Sequence, residues 1–384
     1  MRIAILTTDN REHHRRYELP TPVFGPAIEA LLQGLATISE LEIHVVSCTQ
    51  RPMEAPEKLA RNIWFHLVDV PKIGWLRTGY QGCIRAIRKR LQLIQPNIVH
   101  GQGTERECAL SAVFSGFPNV VTIHGNMVPI VRATRAPIGT YWWWAAILER
   151  FTLPRTDGVF CNSRYTESVV RPRACRTWLV PNAVRREFFE IPLPVRSTSS
   201  PPILLNVGAI VPHKRQLELL PVLEKLHDQG HTFQANFIGK ADPRSKYAGE
   251  FLHRINAPEL KTFIKHTDSQ RLHELIMAYD TASALIHVPT EEAFGLVAAE
   301  ALSRNLKFFG TQTGGLRDIA HEVATAELLD AKEPEQLYRA ITRWLQQDCL
   351  RPTTAAATMR MRYHPDVIAQ GHERVYRELL SFRK

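Results

Sequence analysis

The chain has 384 residues, 44% of them hydrophobic and 22% charged, which makes it too long for one ordinary domain and too apolar to be disordered. We therefore expect two domains of roughly 150–200 residues each. Lysine and arginine number 48 against 38 aspartate and glutamate residues, and the resulting net charge of +10 indicates an anionic partner.

The first half of the chain alternates short apolar runs, rich in β-branched residues, with longer segments of helical period. The runs predict strands at Ile3–Leu6, Ile43–Ser47, Ile63–Val68, Ile98–His100, Val120–Ile123, Gly158–Cys161 and Trp178–Val180. The longer segments predict helices, among them Ala27–Leu35, Tyr80–Leu93 and Glu105–Phe114. This alternation is typical of a parallel sheet that is covered by helices on both faces.

Residues 191–202 interrupt the alternation with prolines and serines, and we interpret them as a linker between a domain at 1–190 and a second at 203–360. Beyond the linker, strands are predicted at Ile203–Val207, Phe233–Ile238, Thr262–Ile264, Ala284–Val288, Lys307–Phe309 and Glu327–Leu329. Helices are predicted at Gln216–Gln229, Gln270–Tyr279, Leu296–Ser303 and Glu333–Gln347. Two such domains are expected to bind ligands in a cleft between them, at the carboxyl ends of their strands.

The turn after the predicted strand Ala284–Val288 carries the most chemical information. It contains Glu292, and a helix is predicted to begin near Phe294 and to carry Glu300. Backbone N–H groups at such a helix start bind anions such as a diphosphate, and here they would be those of Phe294, Gly295 and Leu296. The Glu300 carboxylate could accept hydrogen bonds from two sugar hydroxyls. For an isolated pair of glutamates, a helix cap and a solvated surface position would be the simpler interpretation.

Two neighbouring segments favour the binding site over that simpler interpretation. One is a strand closed by Gly208, followed by a helix that opens with Lys214 and Arg215. Cations prefer the other end of a helix dipole, so a chance placement is disfavoured, and a lysine here could neutralise a departing pyrophosphate. The other is the Gly314-Gly315 turn, which follows a predicted strand and could also be only a tight connection.

In this order and at this spacing, the segments resemble the retaining glycosyltransferases of the GT4 family. Glu292 and Glu300 match the family's E-x7-E pattern, with phenylalanine, glycine and leucine between them, and Lys214 and Gly314-Gly315 match its loop lysine and glycine turn. The resemblance implies an α/β fold of the GT-B type, in which two Rossmann-like doubly wound domains face each other across a cleft. It also implies that the C-terminal helix in 361–384 returns to the N-terminal domain.

The resemblance further implies what the site does. A nucleotide-diphosphate sugar, UDP-sugar or GDP-sugar, would bind mainly to the second domain and donate its sugar with retention, without metal or other cofactor. Glu300 would hold the ribose, Glu292 the donor sugar and Lys214 the diphosphate, and His124 would lie near the sugar hydroxyls, so that Glu292, Lys214 and His124 are the expected catalytic residues. The other implied binding residues are Gly25, Gly208, Arg215, Ile264, Ala293, Phe294, Gly295 and Leu296. No Asp-x-Asp motif occurs, in agreement with a metal-independent site.

Two positions depart from the family pattern. Ala209 follows the loop glycine where the family commonly has an arginine, so one phosphate contact is missing unless Arg215 supplies it. The glycine loop of the first domain has a single glycine, Gly25, which is followed by Pro26. Both positions bear on how the diphosphate is held.

Several classes of protein are disfavoured. The six cysteines form no C-x-x-C pair, so we expect reduced thiols and neither a zinc site nor a disulfide framework. The N-terminus resembles no signal peptide, and the longest uncharged stretch, Cys108–Val131, is broken by glycines and prolines, so we expect no transmembrane helix and a cytoplasmic protein. No nucleic-acid-binding motif is present.

The positive charge is not evenly distributed. Residues 1–200 carry 25 basic and 16 acidic residues, residues 201–350 carry 16 and 19, and residues 351–384 carry 7 and 3. The excess therefore lies outside the predicted donor domain, and we hypothesise that the basic face associates peripherally with an anionic membrane and presents the cleft to a glycan or lipid-linked acceptor. The aromatic run Tyr141–Trp144 either packs in the core or contacts the acceptor or the membrane.

Two other functions fit the same fold. One is a nucleotide-sugar epimerase or hydrolase, which needs no acceptor, and dependence of nucleotide release on an acceptor would separate it from a transferase. The other is a non-catalytic protein that binds sugar nucleotides, which Ala209 alone favours.

Overall fold

The computed structural model describes residues 1–193, 201–330, 333–347, 349, 351 and 353–382. Most of the predicted linker, 194–200, lies outside these residues. The chain forms two compact units, the first comprising Met1–Arg186 and Tyr363–Lys384 and the second Glu187–Arg362.

The first unit is built on an eight-stranded sheet in the order β3-β4-β2-β1-β5-β6-β7-β8, parallel except where β3 pairs with β4. Its strands are β1 Arg2–Leu6, β2 Glu42–Thr49, β3 Lys58–Ala60, β4 Ile63–Asp69, β5 Ile98–Gln102, β6 Asn119–Ile123, β7 Gly158–Cys161 and β8 Thr177–Leu179. Its helices before the second unit are α1 Asn10–His14, α2 Pro26–Leu35, α3 Gln81–Ile94, α4 Glu107–Val113, α5 Met127–Thr134, α6 Tyr141–Thr152 and α7 Arg164–Val170. Single 3-10 turns lie at Lys72–Gly74, Leu76–Thr78, Leu153–Arg155 and Arg171–Arg173.

The second unit has a fully parallel six-stranded sheet in the order β11-β10-β9-β12-β13-β14. Its strands are β9 Ile203–Val207, β10 Gln234–Ile238, β11 Ile264–Thr267, β12 Ala284–His287, β13 Lys307–Thr311 and β14 Ala326–Leu329. Its helices are α8 Glu187–Glu190, α9 Gln216–Asp228, α10 Lys246–Ile255, α11 Leu272–Thr281, α12 Leu296–Ser303, α13 Leu316–Ala320, α14 Pro334–Gln346 and α15 Ala355–Tyr363, with a 3-10 turn at Pro212–Lys214.

The predicted α/β class with two parallel sheets is confirmed, while some element bounds differ. The strand predicted at Thr262–Ile264 begins only at Ile264, because the Phe263 amide donates to Leu260 O at 3.1 Å and the Thr262 hydroxyl to Glu259 O at 3.1 Å, which holds these residues in a turn. Strand β3 and, in the second unit, helices α8, α10, α13 and α15 were not predicted. The last helix, α16 Pro365–Ser381, belongs to the first unit, where it packs against α2.

Alternation along β1 explains how the first unit is layered. Successive side chains of a strand point to opposite faces. Ile3 and Ile5 belong to the apolar cluster formed with α2 and α16, whereas Ala4 and Leu6 belong to the cluster formed with α3 and α4. Both faces are thus covered by helices, as a near-continuous apolar strand requires.

A buried polar network joins α16 to the sheet. The His100 ring is fully buried, with Nδ1 2.6 Å from the Tyr376 hydroxyl and Nε2 2.6 Å from Thr122 Oγ1. His372 on α16 stacks on Phe160, with ring centroids 4.9 Å apart. Burial lowers the pKa of His372 to about 4 and that of His100 well below its usual range.

We expect the first unit to lose stability in mild acid because of these histidines. An unfolded histidine has a pKa near 6.5, so the unfolded chain binds more protons as the pH falls from about 6.5 to 4, and the folded state is stabilised less. Between pH 7 and pH 5, His372 should account for a loss of about 1–2 kcal/mol in the free energy of unfolding. Guanidinium unfolding at both pH values measures this loss. His372→Gln should reduce it, whereas a replacement at the exposed His14 should not, and an equal loss in both variants would contradict the assignment.

Candidate functional site

The strand order of the second unit identifies where a ligand should bind. The chain runs outward from β9 to β10 and β11 on one side, and from β12 to β13 and β14 on the other, so the order reverses between β9 and β12. The ladder between these two strands ends at Leu205 and Leu285, and the side-chain amide of Asn206 then donates from Nδ2 to Ile286 O at 2.8 Å. In open α/β sheets, the crevice at the carboxyl ends beside this reversal is the usual ligand site.

The loops after β9 and β12 meet at this edge. The Thr290 amide in the second loop donates to His213 O in the first at 2.8 Å, and the Thr311 hydroxyl at the end of β13 donates to Pro289 O at 2.9 Å. These bonds fix the two loops against each other. The segments that carry Lys214 and Glu292, 78 residues apart, are thereby brought together.

Glu292 lies at the centre of a charged cluster. Its Oε2 accepts from Lys214 Nζ at 2.6 Å and lies 2.8 Å from Nε2 of His287, a ring that is 1% exposed. Burial alone would raise the pKa of the Glu292 carboxyl, but the Lys214 ammonium and the His287 ring more than offset it and hold the pKa well below its usual range. Burial, and then the neighbouring Lys214, lower the pKa of His287, so the ring is neutral and donates its Nε2 proton to the carboxylate.

Helix α12 begins beside this cluster. It spans Leu296–Ser303, as predicted, and Gly295, which adopts φ +98°, serves as its N-terminal cap. A side chain at Gly295 would be strained by that angle and would meet Leu316 Cδ2 at 2.4 Å, so the position requires glycine. Ala293 and Phe294 are buried beneath the turn, and Glu292 O accepts from the Gly315 amide at 3.0 Å. The first amides of an α-helix have no partner within the helix, so the start of α12 favours an anion.

Glu300 lies in the second turn of α12 and is 2% exposed. Its Oε2 accepts a hydrogen bond from the Tyr279 hydroxyl at 3.1 Å, which orients the carboxylate. A buried carboxylate held in this way is not the solvated helix position of the simpler interpretation.

The loop after β9 has a tight, specific shape. Gly208 adopts φ +146°, and Ala209 O accepts from the Gln216 side chain at 3.0 Å. Arg215 caps α9 in the left-handed conformation, with φ 59°, which glycine adopts more readily than other residues. Its side chain lines a small cavity together with Glu218, Thr311 and Asp330.

Ile264 is not brought to this edge of the sheet. It is the first residue of β11 and pairs with Ala235 near the start of β10, so it lies at the amino end of the strand. The carboxyl end of β11 is Thr267, three residues further on. Ile264, which the resemblance implies to be a binding residue, therefore lies at the amino end of β11, and its role in binding stays a prediction.

Gly25 and His124 belong to the first unit. Gly25 caps α2 at φ −69°, and a Cβ there would meet nothing within 4 Å, so nothing in this unit requires a glycine. His124 Nε2 lies 2.9 Å from Gln102 Oε1, and burial lowers the pKa of His124 to about 4. The Gln102 oxygen can only accept, so Nε2 carries the proton and Nδ1 is left as an acceptor.

Two family models match adjoining parts of the chain. Residues 27–188 match "Glycosyltransferase Family 4" and residues 189–360 match "Glycosyl transferases group 1". The chain belongs to the GT4-type glycosyltransferases.

The relatives agree with this assignment. An uncharacterized glycosyltransferase of Methanocaldococcus jannaschii is 20% identical over 354 residues, which cover 89% of this transferase and 91% of that protein. Among solved structures, sucrose-phosphate synthase from Thermosynechococcus elongatus has a TM-score of 0.77 at 17% identity and 99% coverage of both chains. Anabaena HepE in complex with UDP and glucose has a TM-score of 0.72 at 16% identity, with 98% of this chain and 99% of that one covered. The lipopolysaccharide outer core galactosyltransferase WaaB has a TM-score of 0.68 at 15% identity, with 98% of this chain and 100% of that chain covered. These likenesses confirm the GT-B fold.

Three residues of the transferase were not found from its sequence. His287, Tyr279 and Gln102 each hold a predicted site residue in place, Glu292, Glu300 and His124 respectively. His287 and Gln102 each end a strand of their sheet, and a polar residue at such a position is the one signal that could have identified them.

The described residues of the transferase contain neither a metal-binding cluster nor a membrane-spanning helix. Within the described ranges, no group of three or more histidine, cysteine, aspartate or glutamate side chains could hold a metal ion. In the part of the chain that the structure covers, no helix combines the length and apolar character needed to span a bilayer.

Proposed function

We propose that this enzyme is a retaining, metal-independent glycosyltransferase that moves a sugar from a nucleotide-diphosphate sugar to a glycan or lipid-linked acceptor. The observation that carries the proposal is the Lys214–Glu292–His287 cluster at the strand-order reversal, beside the start of α12. One cation and a helix N-terminus lie together there, an arrangement that suits a diphosphate.

The chemistry that this arrangement supports is stabilisation of a leaving group. During transfer the bond between the anomeric carbon and the diphosphate oxygen breaks, and negative charge develops on the diphosphate. Lys214 and the first amides of α12 are fixed in position before the reaction, so they stabilise this charge without reorganising. A new bond forms from the acceptor oxygen to the anomeric carbon on the same face, and the acceptor proton passes to the departing diphosphate.

Binding of the donor would rearrange the ion pair. Lys214 Nζ contacts Glu292 Oε2 at 2.6 Å, so a diphosphate would compete for the ammonium. Glu292 would then be held by His287 and remain available to accept from hydroxyls of the donor sugar. Glu300, oriented by Tyr279, would accept from the ribose hydroxyls.

The donor and the pathway are proposed from the relatives. Solved structures of Anabaena HepE contain UDP, UDP with glucose, or UDP-glucose, which favours a UDP-sugar, with a GDP-sugar as the other candidate. WaaB is described as a lipopolysaccharide outer core galactosyltransferase, which favours a role in assembling lipopolysaccharide or another cell-surface polysaccharide. We propose that the enzyme works in the cytoplasm, at the inner face of the membrane, with which its basic first half associates peripherally.

A screen of UDP-, GDP- and ADP-sugars tests the donor assignment. A ligand that binds only the folded chain raises its unfolding temperature, so the donor should raise the midpoint by an amount that grows with the logarithm of its concentration over its dissociation constant. Glu300→Gln should reduce the shift, while Lys225→Ala, at an exposed ion pair on α9, should leave it unchanged. No shift with any nucleotide sugar would overturn the proposal.

The stereochemistry can be tested without knowing the acceptor. Slow hydrolysis of the donor uses water as acceptor, and proton NMR of the fresh product reads its anomeric configuration before it equilibrates. We expect the configuration of the donor to be kept, and an inverted product would contradict the retaining assignment.

A further inference from the structure

Helix α6 exposes most of its large apolar side chains to solvent, which is unusual for a surface helix in water. It buries small or polar residues, whereas five of its seven large apolar or aromatic residues are exposed and the other two, Trp143 and Leu148, are half-buried. The buried positions are Ala145, Ala146, Glu149 and Thr152, and the exposed fractions are 43% for Tyr141, 39% for Trp142, 42% for Trp144, 36% for Ile147 and 39% for Phe151. A surface helix of a globular protein normally shows the opposite pattern, so this face is suited to an apolar environment.

The orientation of α6 is fixed by polar contacts on its buried side. Glu149 is fully buried, its Oε2 accepts from the Met127 amide at 2.8 Å, and its Oε1 accepts from Arg173 at 3.2 Å. A rotation that buried Trp144 would remove these bonds and expose the alanines. The exposed face continues beyond the helix at Ile138, which is 83% exposed, and at Phe114, whose ring lies 6.0 Å from that of Phe151. Trp142 lies in the first turn, on the side of Ala145 and Ala146. We call Ile138, Tyr141, Trp144, Ile147 and Phe151 the aromatic face.

A cleft lined by arginines adjoins the same helix. It has a volume of about 730 Å³ and lies between α5, α6 and α7, with Arg132, Arg150 and Arg173 among its lining residues and no carboxylate. Among the described residues, the side chains of Arg132 on α5 and Arg150 on α6 make no hydrogen bond or ion pair. Arg173 uses Nη2 for Glu149, whereas its buried Nη1 has no hydrogen-bond partner. We call this the arginine cleft.

The aromatic face and the arginine cleft together indicate which kind of ligand binds here. Guanidinium groups hold phosphate oxygens through paired hydrogen bonds, and three of them around one cleft suit a phosphate group. Tryptophan and tyrosine favour the interface between bilayer and water, where arginine also meets the negative charge of anionic lipids. A second copy of the chain would bring the same cationic cleft towards its own symmetry mate, and like charges oppose that contact.

We propose that α6 docks on an anionic membrane, with the aromatic face in the interfacial region and the arginine cleft on the phosphate of a lipid headgroup. The inference rests on the membrane association in the proposed function, for which it names the surface, and it does not depend on the identity of the donor. Vesicle binding and stabilisation by nucleotide sugars are separate measurements, so failure of one is distinguishable from failure of the other.

The test is co-flotation with vesicles of phosphatidylcholine alone or with about 30% phosphatidylglycerol. The wild-type chain should bind the anionic vesicles at least about tenfold more tightly, and added salt should weaken this binding. Arg132→Ala with Arg150→Ala should weaken it by about 10- to 30-fold, and Trp144→Ser with Phe151→Ser by at least about tenfold. The tryptophan emission of the wild type should shift to shorter wavelength on binding, and the shift should be reduced in the second variant.

Two matched controls address overall charge and hydrophobicity. Arg85→Ala with Arg88→Ala removes two exposed arginines from α3, and Leu93→Ser removes an apolar side chain that is 73% exposed on the same helix. Both should bind within about twofold of the wild type if the site is local. All these positions are exposed, and thermal unfolding checks that each variant folds.

Four results would overturn the proposal. The first is no binding to anionic vesicles. The second is an equal loss of binding in the α3 arginine pair and in Arg132→Ala with Arg150→Ala. The third is tight binding of inorganic phosphate with no contribution from the aromatic face, and the fourth is a dimer in sedimentation experiments that the aromatic-face variant abolishes while vesicles are not bound. The third result would assign the cleft to a soluble phosphate compound, and the fourth would assign the face to a second copy.

Discussion

Replacing Lys214 with alanine is expected to lower the rate constant of sugar transfer by about 10²- to 10³-fold at saturating donor. The ammonium is the one side-chain cation paired with Glu292 in the described part of the second unit, and it would face the charge that develops on the departing diphosphate. An interaction made chiefly in the transition state lowers the rate more than it lowers donor affinity. Single-turnover kinetics with the donor found by the thermal screen separate the two quantities.

Lys225 provides the matched control for this substitution. It lies on α9 and pairs with Glu335 at 2.8 Å, with both side chains about half exposed, so Lys225→Ala also breaks a lysine–glutamate pair. It should leave transfer unchanged. Unaltered single-turnover rates in Lys214→Ala would remove Lys214 from the mechanism.

Lys214→Ala has a second expected consequence, for the pH profile. The ammonium helps to hold the pKa of the Glu292 carboxyl below its usual range, so its removal should raise that pKa. If an ionised Glu292 is needed, the acid limb of the transfer rate should move to higher pH in the variant. A merely structural role for Lys214 would lower activity without moving this limb.

The second large effect is expected on donor binding, from Glu300→Gln. Glutamine keeps the shape of the side chain but removes the charge, and hydrogen bonds to charged groups contribute about 1.5–3 kcal/mol, so affinity should fall by about 10- to 100-fold. Tyr279→Phe removes the group that orients the carboxylate and should have a smaller effect in the same direction. Isothermal titration with the donor measures both.

A donor analogue without ribose hydroxyls makes this test specific. If Glu300 binds the ribose, wild type and Glu300→Gln should bind a 2′,3′-dideoxy nucleotide with equal affinity, because the hydrogen bonds in question are then absent from both. A difference that persists with the analogue would mean that Glu300 acts by supporting α12 and not by contacting the ligand.

The local sequence pattern was sufficient to predict most strands and part of the candidate site. β7, β9 and α12 have the predicted bounds, because a buried strand in a parallel sheet needs a continuous apolar run and α12 begins directly after a glycine. The same logic failed at β11. Phe263 and Ile264 are apolar, but Phe263 closes a turn and stacks on His227 with the ring centroids 4.2 Å apart, so burial there does not mean strand.

Burial could not be inferred for the aromatic run on α6. Core packing of Tyr141–Trp144 was one interpretation, because large aromatic side chains usually provide much of the buried apolar area. Trp142 is exposed although it lies on the side of Glu149, because it belongs to the first turn of the helix. The buried Glu149 faces Met127 and Arg173, which turns Trp144 outward, while Trp143 is half-buried. Such a constraint comes from partners that are distant in sequence.

The net charge of +10, the alternation of strands with helices and the E-x7-E segment were determined by the sequence alone, because each is either a composition or a pattern within a short stretch. What only the tertiary structure decided is which side chains share a site. Lys214 and Glu292 are 78 residues apart and meet only because the strand order reverses between β9 and β12, which places both loops at one edge of the sheet. His287, Tyr279 and Gln102 likewise acquire their roles from contacts that have no local pattern, since a hydrogen bond depends on distance in space and not on spacing along the chain.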